Sequence, residues 1–181
     1  DNLIDFKKSM ADKDLNPGSK ILSDSTKSLM NLTNFKNFPY QSQTLAAGLN
    51  FFLNSYPVLN KNEEFGSFIP NQNSNDYNLL KESEQILDYY KKLIEIRRDN
   101  LAIRQGTIRQ IFSNDKDILA FVRTYEDQKI LVFANFSQKE VLCDIRFHFL
   151  DLYDFKYLIG NYAKRRIVKN LLLRPYEFVT F

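Results

Sequence analysis

Residues 118–136 read ILAFVRTYEDQKILVFANF, and this stretch decides the fold of the C-terminal half of the chain. Two runs of aliphatic, β-branched and aromatic residues, 118–125 and 129–136, flank the polar segment 126–128. Runs of this length and composition on either side of a short polar segment are typical of two antiparallel strands joined by a turn. The stretch therefore predicts a β-hairpin.

Similar short runs surround the hairpin. They are separated by polar segments at 114–117 and 137–139, which predict turns. Regularly spaced short strands indicate an antiparallel sandwich or a small barrel. We therefore expect an all-β unit over residues 104–181, with further strands at Thr107–Phe112, Val141–Phe147, Phe155–Ile159 and Asn170–Phe181.

A helix precedes the strands. Apolar residues fall at positions 86, 87, 90, 93 and 94, which is the spacing of an amphipathic helix with one buried face. Ser83 suits the N-cap, and the pair Arg97 and Arg98 suits the negative end of the helix dipole. The pattern predicts a helix over about residues 83–99.

The first 82 residues show weaker periodicity. Ile4–Met10 and Ser25–Leu32 each have the composition of a short helix. From Asn34 to Asn78 we expect an irregular segment, because prolines at 39, 57 and 70 interrupt regular structure. Since long irregular segments are uncommon inside a compact domain, we expect this one to drape over a larger body.

Length and composition narrow the classes of protein. A hydrophobic content of 44% is typical of a globular protein. The length of 181 residues is too short for a complete (β/α)₈ barrel, which takes about 250 residues. Twenty-five basic against 22 acidic residues give a net charge of +3, too small to favour nucleic acid or an anionic membrane as a partner. A single cysteine forms no internal disulfide, and no apolar run reaches membrane-spanning length. We expect a cytoplasmic protein.

No residue pattern nominates a reactive centre. Cys143 lies in an apolar run and is expected to be a small buried residue, and His148 is expected at a strand end or turn. A lone histidine and a lone cysteine make no zinc motif, and the five glycines form no phosphate-binding loop, so we expect no metal and no cofactor. Three acidic pairs occur in polar turns or at a helix start, where we expect them to be solvated: Glu63–Glu64, Glu82 with Glu84, and Asp115 with Asp117.

Several motifs resemble family 13 glycoside hydrolases, the α-amylase superfamily. The helix Ile86–Arg98 resembles the last barrel helix of the exo-α-glucosidases of that family, of the oligo-1,6-glucosidase type. The C-terminal motifs of those enzymes are similar to four stretches in the same order, namely Ile118–Tyr125, Lys129–Ser137, Tyr157–Tyr162 and Leu173–Val179.

The resemblance implies an α+β chain made of two parts. Residues 1–103 would be the C-terminal piece of the (β/α)₈ barrel, and residues 104–181 the C-terminal β-sandwich domain. The family's catalytic nucleophile, acid/base and third carboxylate precede the matched part, so no catalytic residue is assigned here. We expect retaining hydrolysis of α-glucosidic bonds in small oligosaccharides by the whole enzyme, and no activity from this chain alone.

An upstream stretch, residues 37–41, resembles a family motif whose arginine helps to hold the sugar at the non-reducing end. Asn37 takes the place of that arginine and Lys36 precedes it, so these two are the candidate substrate-binding residues. The replacement implies a weakened or displaced sugar contact.

The resemblance also implies partners: the missing barrel portion, and an α-glucoside oligosaccharide in the full enzyme. Because the helix stripe Ile86, Tyr90, Leu93 and Ile94 would partly face absent barrel strands, we expect an exposed apolar patch and self-association of the isolated chain. Three alternatives stay open: a stand-alone β-sandwich module that binds carbohydrate or a protein partner, a trehalose-6-phosphate hydrolase fragment, and a decayed gene product.

Overall fold

The computed structural model describes residues 2–12, 26–33, 36–53, 56–66, 77–112, 114–145 and 154–181. Helices dominate the first half of the described chain and antiparallel strands the second half. The helices are α1 (Leu3–Asp12), α2 (Thr26–Met30), α3 (Pro39–Phe52), α4 (Tyr77–Asp99) and α5 (Leu101–Gln105), with a 3₁₀ turn at Glu63–Phe65. The strands are β1 (Thr107–Ile111), β2 (Ile118–Tyr125), β3 (Gln128–Asn135), β4 (Val141–Asp144), β5 (Ile159–Gly160), β6 (Asn170–Leu173) and β7 (Phe178–Thr180).

The predicted hairpin is the centre of the larger sheet. Strands β2 and β3 pair antiparallel from Ile118 opposite Asn135 to Tyr125 opposite Gln128, so the turn contains two residues rather than three. The sheet has the order β1-β2-β3-β7-β5, and all its pairs are antiparallel. Strand β7 lies between β3 and the edge strand β5, so the last residues of the sequence pair with two strands of this sheet.

Both faces of β2 and β3 are buried over most of their length, which explains why these strands are apolar at consecutive positions. Leu119 and Phe121 point into a core shared with helices α3 and α4. Their neighbours Ile118, Ala120 and Val122 point into a second core on the other face. The alternation of side chains along a strand thus distributes a single apolar run over two cores.

The second core is closed by a small sheet in which β4 pairs antiparallel with β6. Cys143 on β4, together with Leu171 and Leu173 on β6, packs against side chains of β2, β3 and β7. Two antiparallel sheets therefore enclose this core, as expected for a sandwich. Burial raises the pKa of the Cys143 thiol to about 12, which agrees with a structural rather than a reactive cysteine.

Two predicted strands differ from the structure. In Phe155–Ile159 only Ile159 belongs to a strand, and Asn170–Phe181 divides into β6 and β7 around a turn that contains Pro175. Proline lacks the amide hydrogen that a strand in mid-sheet donates, so the run cannot continue as one strand. The last residues of the predicted strand Val141–Phe147 and His148 lie outside the described residues.

The expectation of an irregular segment over residues 34–78 was wrong for residues 39–52, which form helix α3, whereas residues 56–60 belong to no helix or strand. Pro39 lies in the first turn of α3, where a missing amide hydrogen costs nothing, so this proline starts the helix instead of breaking it. Every residue from Ser42 to Phe52 is buried. Gly48 lets the helix approach the sheet, since a Cβ there would lie 2.5 Å from Cδ1 of Phe178.

Helix α4 is longer than predicted and begins at Tyr77, so Ser83 is an interior residue and not the N-cap. Its inner face packs on α3 and on the 3₁₀ turn, and Ile86, Tyr90 and Leu93 are buried within the chain. The expected exposed patch on this stripe was therefore wrong, except at Ile94, which is 47% exposed.

Exposed apolar side chains instead cluster on residues 56–65. Tyr56 is 74% exposed, and Val58, Leu59 and Phe65 are each at least 40% exposed. Residues 56–60 form no helix and belong to neither sheet. Exposed apolar side chains grouped in one segment are typical of a surface that packs against a further part of a protein.

Helix α1 contains the predicted stretch Ile4–Met10, extends beyond it at both ends, and packs on the turn between β1 and β2. Lys7 is buried, and its Nζ donates to the carbonyl oxygens of Phe112 and Asp115. Gln110 on β1 donates to the carbonyl oxygen of Lys7 in return. Helix α2 falls within the predicted stretch 25–32. No helix in the described ranges is both long and apolar enough to cross a membrane.

Candidate functional site

Three polar segments meet at one end of the large sheet, and they belong to the motifs that carry the family resemblance. They are the end of β3 at Asn135, the residues that follow β5 at Asn161 and Tyr162, and the turn 174–177 between β6 and β7. We call this polar contact region the junction. Its residues are far apart in sequence, and the sheet order brings them together.

Glu177 is the charged centre of the junction. Its side chain is 1% exposed, and it accepts hydrogen bonds from the backbone nitrogen of Arg174 at 2.7 Å and from Nη2 of Arg174 at 2.9 Å. Nη1 of Arg165 lies 3.2 Å from the same carboxylate. Hydrogen bonding to Glu177 raises the pKa of Arg174 above its ordinary value. Two guanidinium groups thus compensate one buried carboxylate.

Two asparagine side chains bind the segments to one another. Nδ2 of Asn135 donates to the carbonyl oxygens of Lys139 and Arg174, both at 2.8 Å. Nδ2 of Asn161 donates to the carbonyl oxygen of Tyr176 at 2.8 Å, and its Oδ1 accepts from the backbone nitrogen of Phe178. Buried backbone groups that no strand pairs are satisfied in this way.

The turn itself is held in an unusual backbone conformation. Tyr176 has φ 51°, in the left-handed region that non-glycine residues rarely occupy. Its ring is buried and packs 5.2 Å from the ring of Phe38, just before α3. The hydroxyl of Tyr162 donates to the carbonyl oxygen of Pro175, and its ring lies under the Arg174 guanidinium, 4.2 Å away. Dense packing and hydrogen bonds on all sides maintain this strained turn.

The junction also reaches the helical layer. Nδ2 of Asn161 lies 3.3 Å from the carbonyl oxygen of Gln41 and 3.2 Å from Oγ1 of Thr44, both on α3. One asparagine therefore links β5, the 174–177 turn and α3. In the junction the asparagine side chains are hydrogen-bonded and the buried carboxylate is paired with guanidinium groups. Such an arrangement stabilises a rigid contact between the helices and the sheets.

A second polar cluster lies between the 3₁₀ turn and α4. Glu63, expected to be solvated, is fully buried, and its Oε1 accepts a hydrogen bond from the Tyr90 hydroxyl at 2.5 Å. Its Oε2 accepts from the backbone nitrogen and Nδ2 of Asn60, and Gln43 on α3 donates to its carbonyl oxygen. Burial, followed by the Glu63 charge, raises the pKa of Tyr90 far above its ordinary value. Glu63 therefore connects α3, α4 and the 3₁₀ turn.

The remaining acidic pairs have ordinary structural positions. Oδ1 of Asp115 accepts from the backbone nitrogens of Asp117 and Ile118 and so closes the turn before β2. Glu82 and Glu84 lie on α4, and Glu84 is exposed. The described parts of the chain contain no group of three or more histidine, cysteine or acidic side chains that could hold a metal ion.

The structure places the two candidate substrate-binding residues side by side. Lys36 and Asn37 are both exposed and precede the start of α3. The stretch that resembles the family's sugar-contact motif continues from there into α3, whose residues from Ser42 onward are buried. The structure brings neither residue to the junction or to the Glu63 cluster.

Sequence reasoning did not identify the junction residues as a group. The polar residues Asn135, Asn161 and Glu177 stand within or beside apolar strands, and each belongs to a stretch that resembles the family. A polar residue at such a position marks a place where a buried backbone needs a partner. That feature of the sequence could have singled them out, although not their partners.

Comparison with known proteins defines the class of the β region. Residues 108–179 match the family model described as "Maltogenic Amylase, C-terminal domain". This match covers all of the strands from β2 to β6 and most of β1 and β7, so the similarity extends over nearly the whole β region.

Similarity to curated proteins extends the match to particular relatives. Oligo-1,6-glucosidase from Bacillus cereus is 36% identical over 103 residues, which are 56% of this chain and 18% of that protein. Trehalose-6-phosphate hydrolase from Bacillus subtilis is 29% identical over 103 residues, again 56% of this chain and 18% of the relative. The resemblance to the C-terminal portion of family 13 α-glucosidases is thereby confirmed.

The fold is shared with solved enzymes. The structure of trehalose-6-phosphate hydrolase from Bacillus licheniformis superposes with a TM-score of 0.75 at 18% identity, covering 98% of this chain and 46% of that one. An isomaltulose synthase from Erwinia rhapontici gives a TM-score of 0.75 at 15% identity, with 99% and 46% coverage. The chain thus spans less than half the length of these relatives.

Proposed function

We propose that this chain is the C-terminal portion of a retaining α-glucosidase that hydrolyses α-glucosidic bonds in small oligosaccharides, with its catalytic carboxylates outside residues 1–181. The observation that carries the proposal is the 36% identity to an oligo-1,6-glucosidase over 103 residues. In a retaining mechanism one carboxylate forms the glycosyl-enzyme and a second transfers the proton. This chain contributes the scaffold, and alone it is inactive.

The domain boundaries belong to the same proposal. Residues 1–103 form the C-terminal piece of a (β/α)₈ barrel, and residues 104–181 the β-sandwich domain. The exposed apolar side chains of Val58 and Leu59 support a barrel piece, since such surface is stabilised by packing against a further part of the barrel. The partner is then the missing barrel portion, and the isolated chain self-associates through this surface. We also propose a cytoplasmic location.

Lys36 and Asn37 are proposed as contacts to the α-glucoside in the whole enzyme. Their exposure before α3 leaves both side chains accessible. A Lys36→Ala, Asn37→Ala double variant of the whole enzyme should raise KM for the oligosaccharide and leave kcat nearly unchanged. If KM and kcat were the same in the variant and the parent enzyme, Lys36 and Asn37 would not contact the substrate.

Activity measurements on two forms of the protein test the proposal. The 181-residue chain and the intact gene product recovered from source cells are assayed with isomaltose, maltose and trehalose 6-phosphate. We expect turnover only by the intact product, with release of the α-anomer of glucose, as retention requires. If the intact product preferred trehalose 6-phosphate, its substrate would be that phosphorylated sugar instead of a neutral oligosaccharide. Turnover by the 181-residue chain would refute the proposal.

A further inference from the structure

A groove of about 650 Å³ runs between helix α4 and residues 157–163, on the outside of the junction. It is lined by tyrosine rings on one side and by polar side chains on the other. Neither the family match nor the proposed function assigns a role to it.

The polar side of the groove follows one edge of α4. Gln85, Asp88, Lys92 and Glu95 line it, at intervals of three, four and three residues, so they recur along one edge of the helix. All four side chains are exposed. Together they present carboxylate, amide and ammonium groups, which both donate and accept hydrogen bonds.

The opposite side is aromatic. Tyr157 and Tyr162 line this wall, and Tyr40 and Tyr89 complete the lining from α3 and α4. Tyr40, Tyr157 and Tyr162 are half-buried, and the Arg174 guanidinium already lies 4.2 Å from the centre of the Tyr162 ring. Tyr89 is 8% exposed, and its hydroxyl has no hydrogen-bond partner among the described residues. This hydroxyl is itself buried, so it offers no polar atom to the groove.

The aromatic wall is rigid. The backbone of 159–160 pairs with β7, and the Asn161 side chain bonds to the carbonyl oxygen of Tyr176 and to the backbone nitrogen of Phe178. The Tyr162 hydroxyl is fixed to the carbonyl oxygen of Pro175. A wall held in this way needs no ordering when a ligand binds, which lowers the entropic cost of association.

We propose that this groove binds a neutral oligosaccharide of hexose units. The C–H faces of a sugar ring pack on tyrosine, while its hydroxyl groups exchange hydrogen bonds with amide and carboxylate groups on the facing edge. The side chains along the α4 edge carry two negative charges and one positive charge, so the groove does not attract a phosphorylated sugar. The inference concerns binding and does not depend on the proposed hydrolysis.

Titration of the 181-residue chain with maltotriose tests the proposal, by calorimetry and by saturation-transfer NMR of the sugar protons. We expect saturable binding, weakened about fivefold by Glu95→Ala and further by adding Gln85→Ala, since each substitution removes a hydrogen-bonding group. Glu84→Ala is the matched control, because Glu84 is an exposed glutamate on the same helix that does not line the groove. Glucose 6-phosphate should bind more weakly than maltotriose.

The outcomes separate the alternatives. Both groove residues are exposed, so circular dichroism should report the same fold in every variant. Absence of saturable binding overturns the proposal, and so does binding that Glu84→Ala weakens as much as Glu95→Ala. If glucose 6-phosphate bound more tightly than maltotriose, the groove would prefer an anionic ligand, and this result would also overturn the proposal. None of these results bears on whether the intact product hydrolyses α-glucosides.

Discussion

Glu177→Ala is the substitution that most directly tests the junction. The parent carboxylate is 1% exposed and lies within hydrogen-bonding distance of Arg174 and Arg165. Alanine removes the only acidic partner recorded for these two guanidinium groups in the described chain. It also removes the acceptor for the backbone nitrogen of Arg174, which donates at 2.7 Å. The turn that joins β6 to β7 thereby loses its central contact.

The magnitude follows from burial. Breaking a fully buried ion pair from one side costs about 3–5 kcal/mol, because the remaining charge stays desolvated. The side chains of Arg165 and Arg174 are 24% and 32% exposed, so water can partly solvate them after the substitution. We therefore expect the free energy of unfolding to fall by about 2–3 kcal/mol, a large part of the 5–15 kcal/mol typical of a domain.

Urea unfolding followed by circular dichroism at pH 7 measures this loss. Asp88→Ala is the control: Asp88 pairs with Lys91 at 3.7 Å, but both side chains are more than 60% exposed. Because solvent screens such a pair, the control should lose less than about 0.5 kcal/mol. A Glu177→Ala variant that loses no more than the control would refute the role given to the junction.

Three further perturbations follow from the packing and from burial. Gly48→Ala should lower the free energy of unfolding by about 2 kcal/mol in urea, because its Cβ would lie 2.5 Å from the Phe178 ring; a neutral effect would contradict the close approach of α3 to the sheet. Burial raises the pKa of the Cys143 thiol from 9.0 to about 12, so the thiol ionises first in the unfolded chain and the free energy of unfolding falls above pH 9, by about 1 kcal/mol at pH 10. Cys143→Ala should abolish that part of the pH dependence, and an unchanged profile would show that the thiol titrates normally. Tyr90→Phe removes the hydroxyl that donates to Glu63 Oε1 at 2.5 Å, so the free energy of unfolding should fall by about 1.5–3 kcal/mol in thermal or urea unfolding. A decrease below about 0.5 kcal/mol would mean that another donor replaces this hydroxyl.

Helix α3 shows why part of the fold could not be predicted from the sequence. Its proline sits in the first turn, and polar residues such as Gln43 and Asn50 lie on buried faces, so the helical periodicity is obscured. Their amide nitrogens find distant partners: Gln43 donates to the carbonyl oxygen of Glu63, and Asn50 to that of Val58. A polar residue with a long-range partner looks exposed in the sequence, although it is not.

The candidate site was predictable only in part. The motifs around Asn135, Asn161 and Glu177 supported the family resemblance, which the comparisons confirmed. The roles of Lys36 and Asn37 remain predictions. The sequence also held no sign that Ile86, Tyr90 and Leu93 would be covered by the chain's own α3, since a helical stripe indicates burial but not the surface that supplies it.

The sequence by itself determined the local elements: the hairpin at 118–135, the strands on either side of it and the last long helix. Hydrophobic periodicity and turn residues act over a few positions, so they are visible in one dimension. Only the tertiary structure decided which face of each strand meets which core, and that Asn135, Asn161 and Glu177 lie together. Those facts depend on contacts between residues far apart in the chain, which form when burial leaves polar groups with no other partners.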